Sequence, residues 1–187
     1  MPTVNTLESQ LAVLVVVDVQ EKLLPLIGTS PTDRLLDKIS RLIRAARLLE
    51  VPILLTEQYP RGLGPTVSPV REALSPDSKP IVKATCSCWR DEIFREALQR
   101  TDREHVILVG IEAHVCIQQT AMDLLRVDYI PFVAADAVGS RFPEDKTHGL
   151  ERMRHAGAEI TTTESLLFEL IERCDHPRFK DFLKLVK

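Results

Sequence analysis

Three residues that could together hydrolyse an acyl bond stand at or just after predicted strands: an acid, a lysine and a cysteine. Asp18 follows the apolar residues 11–17, Lys83 ends a short apolar run, and Cys116 comes soon after the apolar residues 105–109. A carboxylate can remove the proton of a thiol, and an ammonium group can hold the charges in place. If the three side chains converge, we expect a nucleophile, its base and an organising cation.

Each of these residues also has a purely structural interpretation. A free cysteine is among the most buried residue types, so Cys116 could be an inert part of the core. Asp18 could cap the segment that follows it, and Lys83 could be an ordinary exposed lysine. However, a thiol near a helix N-terminus feels the positive end of the helix dipole, which favours the thiolate, and the backbone N–H groups there could hold an oxyanion. A buried Lys83 would need a carboxylate partner.

The elements that must position these residues alternate between short β-branched runs and longer amphipathic stretches. This pattern predicts a three-layer α/β/α fold around a parallel sheet of about six strands, Rossmann-like in its layers. The predicted strands are residues 11–17, 52–56, 80–83, 105–109, 129–134 and 158–160. The predicted helices are residues 31–50, 91–100, 115–126 and 143–156, and one that begins at a capping box of Thr161 and Glu164. Residues 59–69, rich in proline and glycine, are predicted to be a surface loop.

The length of 187 residues suits one domain with a sizeable core, so we predict a single domain over residues 1–187. Within it, residues 175–187 form a predicted helical tail with Phe179, Phe182 and Val186 on one side. This apolar side could pack on its own domain or cross to a second subunit.

Charge and composition exclude several classes of partner. With 24 Lys and Arg against 27 Asp and Glu, the net charge of -3 gives no attraction for nucleic acid or for anionic membranes. Residues 11–17 are too short to span a bilayer, and four cysteines are too few for a disulfide scaffold. We therefore predict a cytoplasmic protein with reduced thiols.

Cofactor and metal motifs are missing from the sequence. Residues 18–25, directly after the first strand, contain no glycine, so neither a dinucleotide fingerprint nor a phosphate loop is present. Cys86 and Cys88 are separated by one residue, as are His114 and Cys116, whereas ligand pairs of structural zinc sites are separated by about two to four residues. No cofactor and no metal are expected.

Three segments resemble the signature stretches of the isochorismatase-like cysteine hydrolases, in the same order and at similar separations. They are residues 16–20 (VVDVQ), 83–85 (KAT) and 110–117 (GIEAHVCI). The resemblance covers roughly residues 9–172. Residues 56–60 (TEQYP) with 62–64 (GLG), and residues 153–157 (MRHAG), are similar in particular to isochorismatase domain-containing proteins of uncharacterised substrate.

The resemblance implies a metal-independent Cys/Asp/Lys triad that cleaves an amide-type C–N bond of a small molecule through a thioester. Asp18 would be the general base, Cys116 the nucleophile and Lys83 the electrostatic organiser. A cis peptide between Ile111 and Glu112 would aim the backbone N–H groups of Glu112 and Cys116 at an oxyanion. Members of this family often form homo-oligomers, so a homo-oligomer is expected here.

Departures from the family pattern narrow the expected reaction. The chain has Ala113 where the family commonly has threonine, which removes a hydroxyl near the expected cis peptide. Residues 57–64 contain no histidine, so the metal site of nicotinamidases is absent, and the presence of Cys116 argues against hydrolysis of a vinyl ether. Apart from the triad, the candidate substrate-binding residues are Gln20, Tyr59 and Trp89, although Trp89 could equally belong to the core.

Two functions of other classes remain open at this point. The chain could be a catalytically silent interaction scaffold that docks through its apolar tail, since a fold alone does not establish activity. It could also be a thiol redox protein that uses Cys116 with Cys86 or Cys88.

Overall fold

The computed structural model describes residues 5–186, and residues 1–4 and 187 lie outside it. The two ends of the predicted domain, and residue 187 of the predicted tail, are therefore not described.

Six parallel strands form a single sheet in the order β3-β2-β1-β4-β5-β6. The strands are β1 (Ala12–Val17), β2 (Ile53–Gln58), β3 (Ile81–Lys83), β4 (His105–Ile111), β5 (Ile130–Gly139) and β6 (Glu159–Thr161). The chain winds outward from β1 to β3, then returns to the other side of β1 and winds outward again. The winding direction thus reverses between β1 and β4, the point where open α/β sheets bind ligands.

The central strands are buried on both faces, as their uninterrupted apolar sequence predicts. Every residue of β1 and β4 is buried. Leu14 and Val16 point into one core with Ile107, while Val13 and Val15 point into a second core on the opposite face. Two apolar faces require helices on both sides, and the predicted three-layer α/β/α architecture is confirmed.

Eight α-helices cover the sheet within the described residues. They are α1 (Thr32–Leu48), α2 (Pro60–Leu63), α3 (Ser68–Ala73), α4 (Glu92–Arg100), α5 (Gln118–Leu125), α6 (Pro143–Ala156), α7 (Thr163–Ile171) and α8 (Phe179–Val186). Helices α1, α3, α7 and α8 bury their apolar sides in the first core, and α4, α5 and α6 in the second. In the described residues, no helix is long and apolar enough to cross a bilayer.

The described part of the tail packs on its own domain. Phe182 is fully buried in the first core and meets Phe168 of α7 edge to face, with ring centroids 5.4 Å apart. The guanidinium of Arg41 on α1 donates to the carbonyls of Leu185 and Val186 at 3.1 and 2.8 Å. Of the two placements considered from the sequence, the structure has the intramolecular one.

Three local predictions need correction. Residues 59–69 are not a continuous loop, because α2 and the start of α3 lie within them. The helix cap is Thr162, whose hydroxyl accepts from the Ser165 N–H, because Thr161 is still part of β6. Strand β5 continues beyond Ala134 to Gly139, since the polar Asp136 does not end it: its carboxylate accepts from the backbone and hydroxyl of Thr163 at 2.7 and 2.9 Å.

Candidate active site

The structure brings the three sequence-predicted residues Asp18, Lys83 and Cys116 together at the carboxyl ends of the central strands. Asp18 follows β1, Lys83 is the last residue of β3, and Cys116 lies in a π-helical turn (Ala113–Ile117) after β4. Lys83 Nζ is 2.6 Å from Asp18 Oδ2 and 3.7 Å from Cys116 Sγ. An acid, an ammonium group and a thiol therefore share one small site at the point where the sheet reverses its winding.

Close backbone packing brings the ends of β1 and β4 together. Gly110 has φ +116°, and its position leaves no room for a Cβ beside the carbonyl of Val17. Only glycine combines this conformation with such an approach at low cost. Gly110, the next-to-last residue of β4, thus lets the turn with Cys116 lie directly beside Asp18.

Asp18 is fully buried and has φ +52°, a left-handed conformation that aspartate tolerates better than most residues. Its Oδ1 accepts from the Thr56 hydroxyl at 2.7 Å, and its Oδ2 accepts from Lys83. Both carboxylate oxygens are therefore used across the sheet, and the side chain does not cap the segment that follows.

Lys83 is buried and surrounded by acceptors. Besides Asp18, its ammonium donates to Gln58 Oε1 at 2.7 Å and to the carbonyls of Thr85 and Cys86 at 3.1 and 3.3 Å. Burial by itself would lower the pKa of Lys83, but the adjacent Asp18 carboxylate outweighs it and the pKa is raised. Lys83 is thus a buried ammonium ion with a carboxylate partner and not an ordinary exposed lysine.

The Cys116 thiol is almost completely buried, with 8% of the residue exposed. Burial raises its pKa, and the negative charge of Asp18 raises it further, while the charge of Lys83 opposes both. The expectation that a helix N-terminus would favour the thiolate is therefore wrong for the resting site. Removal of the sulfur from water and the charge of the neighbouring Asp18 carboxylate both favour the neutral thiol.

Two residues that support the triad were missed by the sequence analysis. Thr56 and Gln58 lie two positions apart on β2, so their side chains point to the same face, where they bind Asp18 and Lys83 respectively. Gln58 Nε2 also donates to the Ala84 carbonyl at 2.9 Å, which fixes the orientation of its amide. The signal available in the sequence was the run of three polar residues, 56–58, at the end of an otherwise apolar strand.

Gln20 does not line an open cleft. The residue is fully buried, its Oε1 accepts from the Gln58 N–H at 2.8 Å, and its Nε2 donates to the carbonyls of Gln58 and Gly64 at 3.0 and 2.6 Å. These bonds join the end of β1 to the end of β2 and to α2. The prediction that Gln20 binds substrate needs correction, because its polar groups already have protein partners.

The two aromatic candidates lie in different surroundings. Tyr59 has φ +38°, is 61% exposed, and its backbone N–H donates to the Lys83 carbonyl at 3.2 Å, which places it at the rim of the site. The ring of Trp89 instead meets Tyr129 with centroids 5.5 Å apart, and both pack on the second core. Trp89 therefore takes the core alternative, while Tyr59 remains available to a ligand.

The turn between β4 and Cys116 begins with a cis peptide bond between Ile111 and Glu112. The carbonyl of Glu112 accepts from the N–H groups of Val115 and Ile117 at 3.1 and 3.2 Å. Its carboxylate is held outside the triad by Arg141, whose Nε donates to Oε2 at 3.0 Å. Glu112 and Cys116 thus stand at the two ends of one tight turn.

All four cysteines are free thiols, and their surroundings differ. Cys86 and Cys174 are exposed, whereas Cys88 is fully buried, and burial raises the pKa of Cys88 to about 11. Within residues 5–186, no three His, Cys, Asp or Glu side chains are grouped so that they could hold a metal ion.

Comparison with known proteins matches most of the chain to one family. Residues 12–165 match the isochorismatase domain. Isochorismatase domain-containing protein 2A of Mus musculus is 40% identical over 177 residues, which cover 94% of this chain and 82% of the relative. The structure of the MAR1 ribonuclease from Caenorhabditis elegans is 37% identical with a TM-score of 0.90, covering 97% of this chain and 92% of that one. YcaC from Pseudomonas aeruginosa, solved with hexane-2,5-diol and covalent acrylamide, is 27% identical with a TM-score of 0.91, covering 98% and 92%.

Proposed function

Because this chain belongs to the isochorismatase family and has its hydrolase fold, we propose that it is a metal-independent cysteine hydrolase that cleaves an amide-type C–N bond of a small molecule. One observation carries the proposal: the ammonium of Lys83 lies 2.6 Å from the Asp18 carboxylate and 3.7 Å from the Cys116 sulfur. A nucleophile, a base and a third group that orients them are the parts that covalent acyl transfer requires.

The first half of the proposed reaction forms a thioester. Asp18 accepts the thiol proton of Cys116 while the sulfur attacks the carbonyl carbon, and the C=O electron pair moves onto the oxygen. The backbone N–H groups of Glu112 and Cys116 stabilise this oxyanion. When the oxyanion collapses, the C–N bond breaks and the amine leaves with the proton that Asp18 held.

The second half releases the acid and restores the enzyme. Asp18 accepts a proton from water, whose oxygen attacks the thioester carbon, and the carboxylic acid leaves as the proton returns to the Cys116 sulfur. Lys83 keeps a positive charge beside Asp18 and Cys116 throughout, because its pKa is raised. It needs no proton transfer of its own.

The environment of the site favours a small and largely uncharged substrate. Only 8% of Cys116 is exposed, which leaves little room for a bulky group, and the exposed Tyr59 at the rim of the site offers an aromatic surface. Acrylamide, which is covalently bound in the YcaC structure, is itself a small amide with a carbon that thiols attack. We therefore expect acrylamide to add to Cys116. Mass spectrometry should then show the peptide that contains Cys116 heavier by one acrylamide molecule.

The proposal is tested by replacing Cys116 with alanine and measuring release of ammonia or amine from a panel of small carboxamides. We expect kcat/KM to fall by a factor on the order of 10³ or more, because the variant lacks the sulfur on which the proposed thioester forms. Cys174→Ala is the matched control, because it removes an exposed thiol outside the site and should leave turnover unchanged. Turnover that survives in Cys116→Ala would rule out the proposed mechanism.

A second candidate is ribonuclease activity, which one observation favours: the 37% identical relative carries that activity in its name. The net charge of -3 disfavours strong binding of RNA. The same Cys116→Ala and wild-type proteins, incubated with a labelled RNA oligomer, distinguish the two candidates. Cleavage of RNA that is equal in both proteins would separate any ribonuclease activity from the thiol site.

A homo-oligomeric assembly and a cytoplasmic location stay predictions. Light scattering coupled to size-exclusion chromatography measures the first, and localisation of the tagged full chain measures the second. The scaffold alternative predicts an unreactive Cys116, so amide turnover that depends on Cys116 would exclude it. The redox alternative predicts that mild peroxide oxidises Cys116 together with Cys86 or Cys88, so an unchanged thiol count after peroxide would exclude that one.

A further inference from the structure

A pocket of about 250 Å³ beside α5 and α6 is lined by charged and amide side chains. We name it the arginine pocket, and its polar lining residues are Arg90, Gln118, Gln119, Asp123, Arg126 and Arg152. Neither Asp18, Lys83 nor Cys116 lines it. It is therefore a different feature from the candidate active site, and nothing in the proposed hydrolysis uses it.

Asp123 holds two of the arginines in fixed positions. Arg90 Nε donates to Asp123 Oδ2 at 2.7 Å, and Arg126 donates to Oδ1 at 2.8 Å. Burial alone would raise the pKa of Asp123, but the hydrogen bond and charge of Arg90, with the charge of Arg126, lower it. The carboxylate thus remains ionised and orients two guanidinium groups that are themselves more than half exposed.

The pocket contains more positive charge than the protein neutralises. Three guanidinium groups face one carboxylate, and Arg152 takes part in none of the ion pairs found among residues 5–186. Like charges that line one pocket repel each other, and a bound anion would relieve the repulsion. This local excess is opposite in sign to the net charge of the whole chain.

We propose that the arginine pocket binds a small molecule through an oxyanion group, either a phosphate or a carboxylate. A guanidinium offers parallel N–H donors that pair with both groups in a bidentate manner. Because Asp123 already orients Arg90 and Arg126, less side-chain freedom is lost when the anion binds. Gln118 and Gln119 supply neutral amides for the rest of the molecule.

A small anion suits the pocket better than an RNA strand. Recognition of single-stranded RNA uses aromatic side chains on which bases stack, and no aromatic residue lines this pocket. Its volume is also below the range of roughly 300–1,000 Å³ found for drug-sized ligands. Binding of an RNA strand is therefore an alternative outcome of the test.

The test is calorimetric titration of pyrophosphate, and separately of citrate, into the full-length protein at low ionic strength. We expect one saturable site per chain, with affinity weakened roughly tenfold in Arg152→Gln, which loses a charged hydrogen-bond donor. Arg154→Gln is the matched control, since it removes an exposed arginine of the same helix that does not line the pocket. Binding of only one of the two anions identifies whether a phosphate or a carboxylate is preferred.

Three results would overturn the proposal. The first is no saturable binding of either anion up to about 10 mM, a concentration at which even weak specific sites fill. The second is equal weakening in Arg152→Gln and Arg154→Gln, which indicates diffuse charge attraction. The third is tight binding of a short RNA oligomer by a protein that binds neither small anion. Since every readout is binding, none depends on hydrolytic activity.

Discussion

Asp18 acts on the Cys116 thiol in two opposing ways. Its negative charge adds to burial in raising the pKa of the thiol, while its position makes it the base to which the proton would move. The ammonium of Lys83 opposes the first effect, because it pairs with the Asp18 carboxylate and also lies 3.7 Å from the sulfur, where it favours the thiolate. We therefore expect a nucleophile that stays neutral at rest and becomes anionic only when a substrate displaces water and the proton moves to Asp18.

The hydroxyl of Thr56 should matter for chemistry more than for substrate binding. It donates to Asp18 Oδ1 at 2.7 Å and lies behind the carboxylate, fully buried. In Thr56→Val we expect kcat to fall roughly 10- to 100-fold with little change in KM, the range for losing a hydrogen bond to a charged group. Steady-state kinetics on the best amide of the panel measures both constants.

Thr56→Ser keeps the hydroxyl and serves as the conservative control for this prediction. It should recover most of the wild-type kcat. A rise in KM without loss of kcat in Thr56→Val, or equal losses in both variants, would show that Thr56 acts through packing and not through Asp18.

For single residues, the sequence predicts which side chains lie at the carboxyl edge of the sheet. It does not predict which hydrogen-bond partners those side chains find. Asp18, Lys83 and Cys116 were identifiable because each stands at a strand end. Gln20 looked equally available, yet its amide is used between strands, a fact that depends on which backbone groups the fold leaves unpaired. The direction of the thiol pKa was wrong for the same reason, since desolvation depends on what packs over Cys116.

The limits of helices and strands are predictable where the apolar pattern is continuous. They are less predictable where a polar residue bonds to a part of the chain that is distant in the sequence. The helix over residues 143–156 has the predicted limits, because proline begins it and glycine follows it. Strand β5 is longer than predicted because Asp136 does not end it: its carboxylate accepts from the N–H and the hydroxyl of Thr163, the first residue of α7. The α2 helix at the rim was also missed, and residues distant in the sequence hold it in place: Gln20 Nε2 donates to the Gly64 carbonyl at 2.6 Å and Lys22 Nζ to the Gly62 carbonyl at 2.9 Å.

The final helix α8 should stabilise the domain through Phe182. This ring is fully buried between Phe168 and Phe179, at centroid distances of 5.4 and 6.1 Å. We expect Phe182→Ala to lower the free energy of unfolding by about 3–5 kcal/mol, the usual cost of deleting a buried aromatic ring. Urea denaturation followed by circular dichroism measures the change.

Lys184→Ala is the control for the tail, because Lys184 lies on the same helix with its side chain 76% exposed. It should leave the free energy of unfolding nearly unchanged. If Phe182→Ala is equally silent in urea but changes the number of subunits, the tail contributes to assembly and not to the domain that carries it.

At the scale of the whole molecule, the three residues of the candidate site come together only when the chain folds. Lys83 is 65 positions from Asp18 and 33 from Cys116 in the sequence, and the winding of the sheet alone brings them together. The reactivity of Cys116 should consequently depend on Asp18, which follows a different strand. This dependence should vanish when urea unfolds the chain. The arginine pocket shows the same principle, because residues as distant in the sequence as Arg90 and Arg152 concentrate positive charge there on a chain of net charge -3.

The coupling of Cys116 to Asp18 is measured most directly by the pH dependence of iodoacetamide alkylation at Cys116, located by peptide mass mapping, in the wild type and in Asp18→Asn. In the wild type we predict slow alkylation at neutral pH and a rate that still rises above the free-thiol pKa of about 8.5, because burial and Asp18 raise the pKa. In Asp18→Asn the repulsive charge is gone and Lys83 remains, so the inflection should move to lower pH while amide turnover is lost. Identical pH profiles in the two proteins, or a wild-type thiol that reacts fully below neutral pH, would contradict a coupled site of Asp18, Lys83 and Cys116.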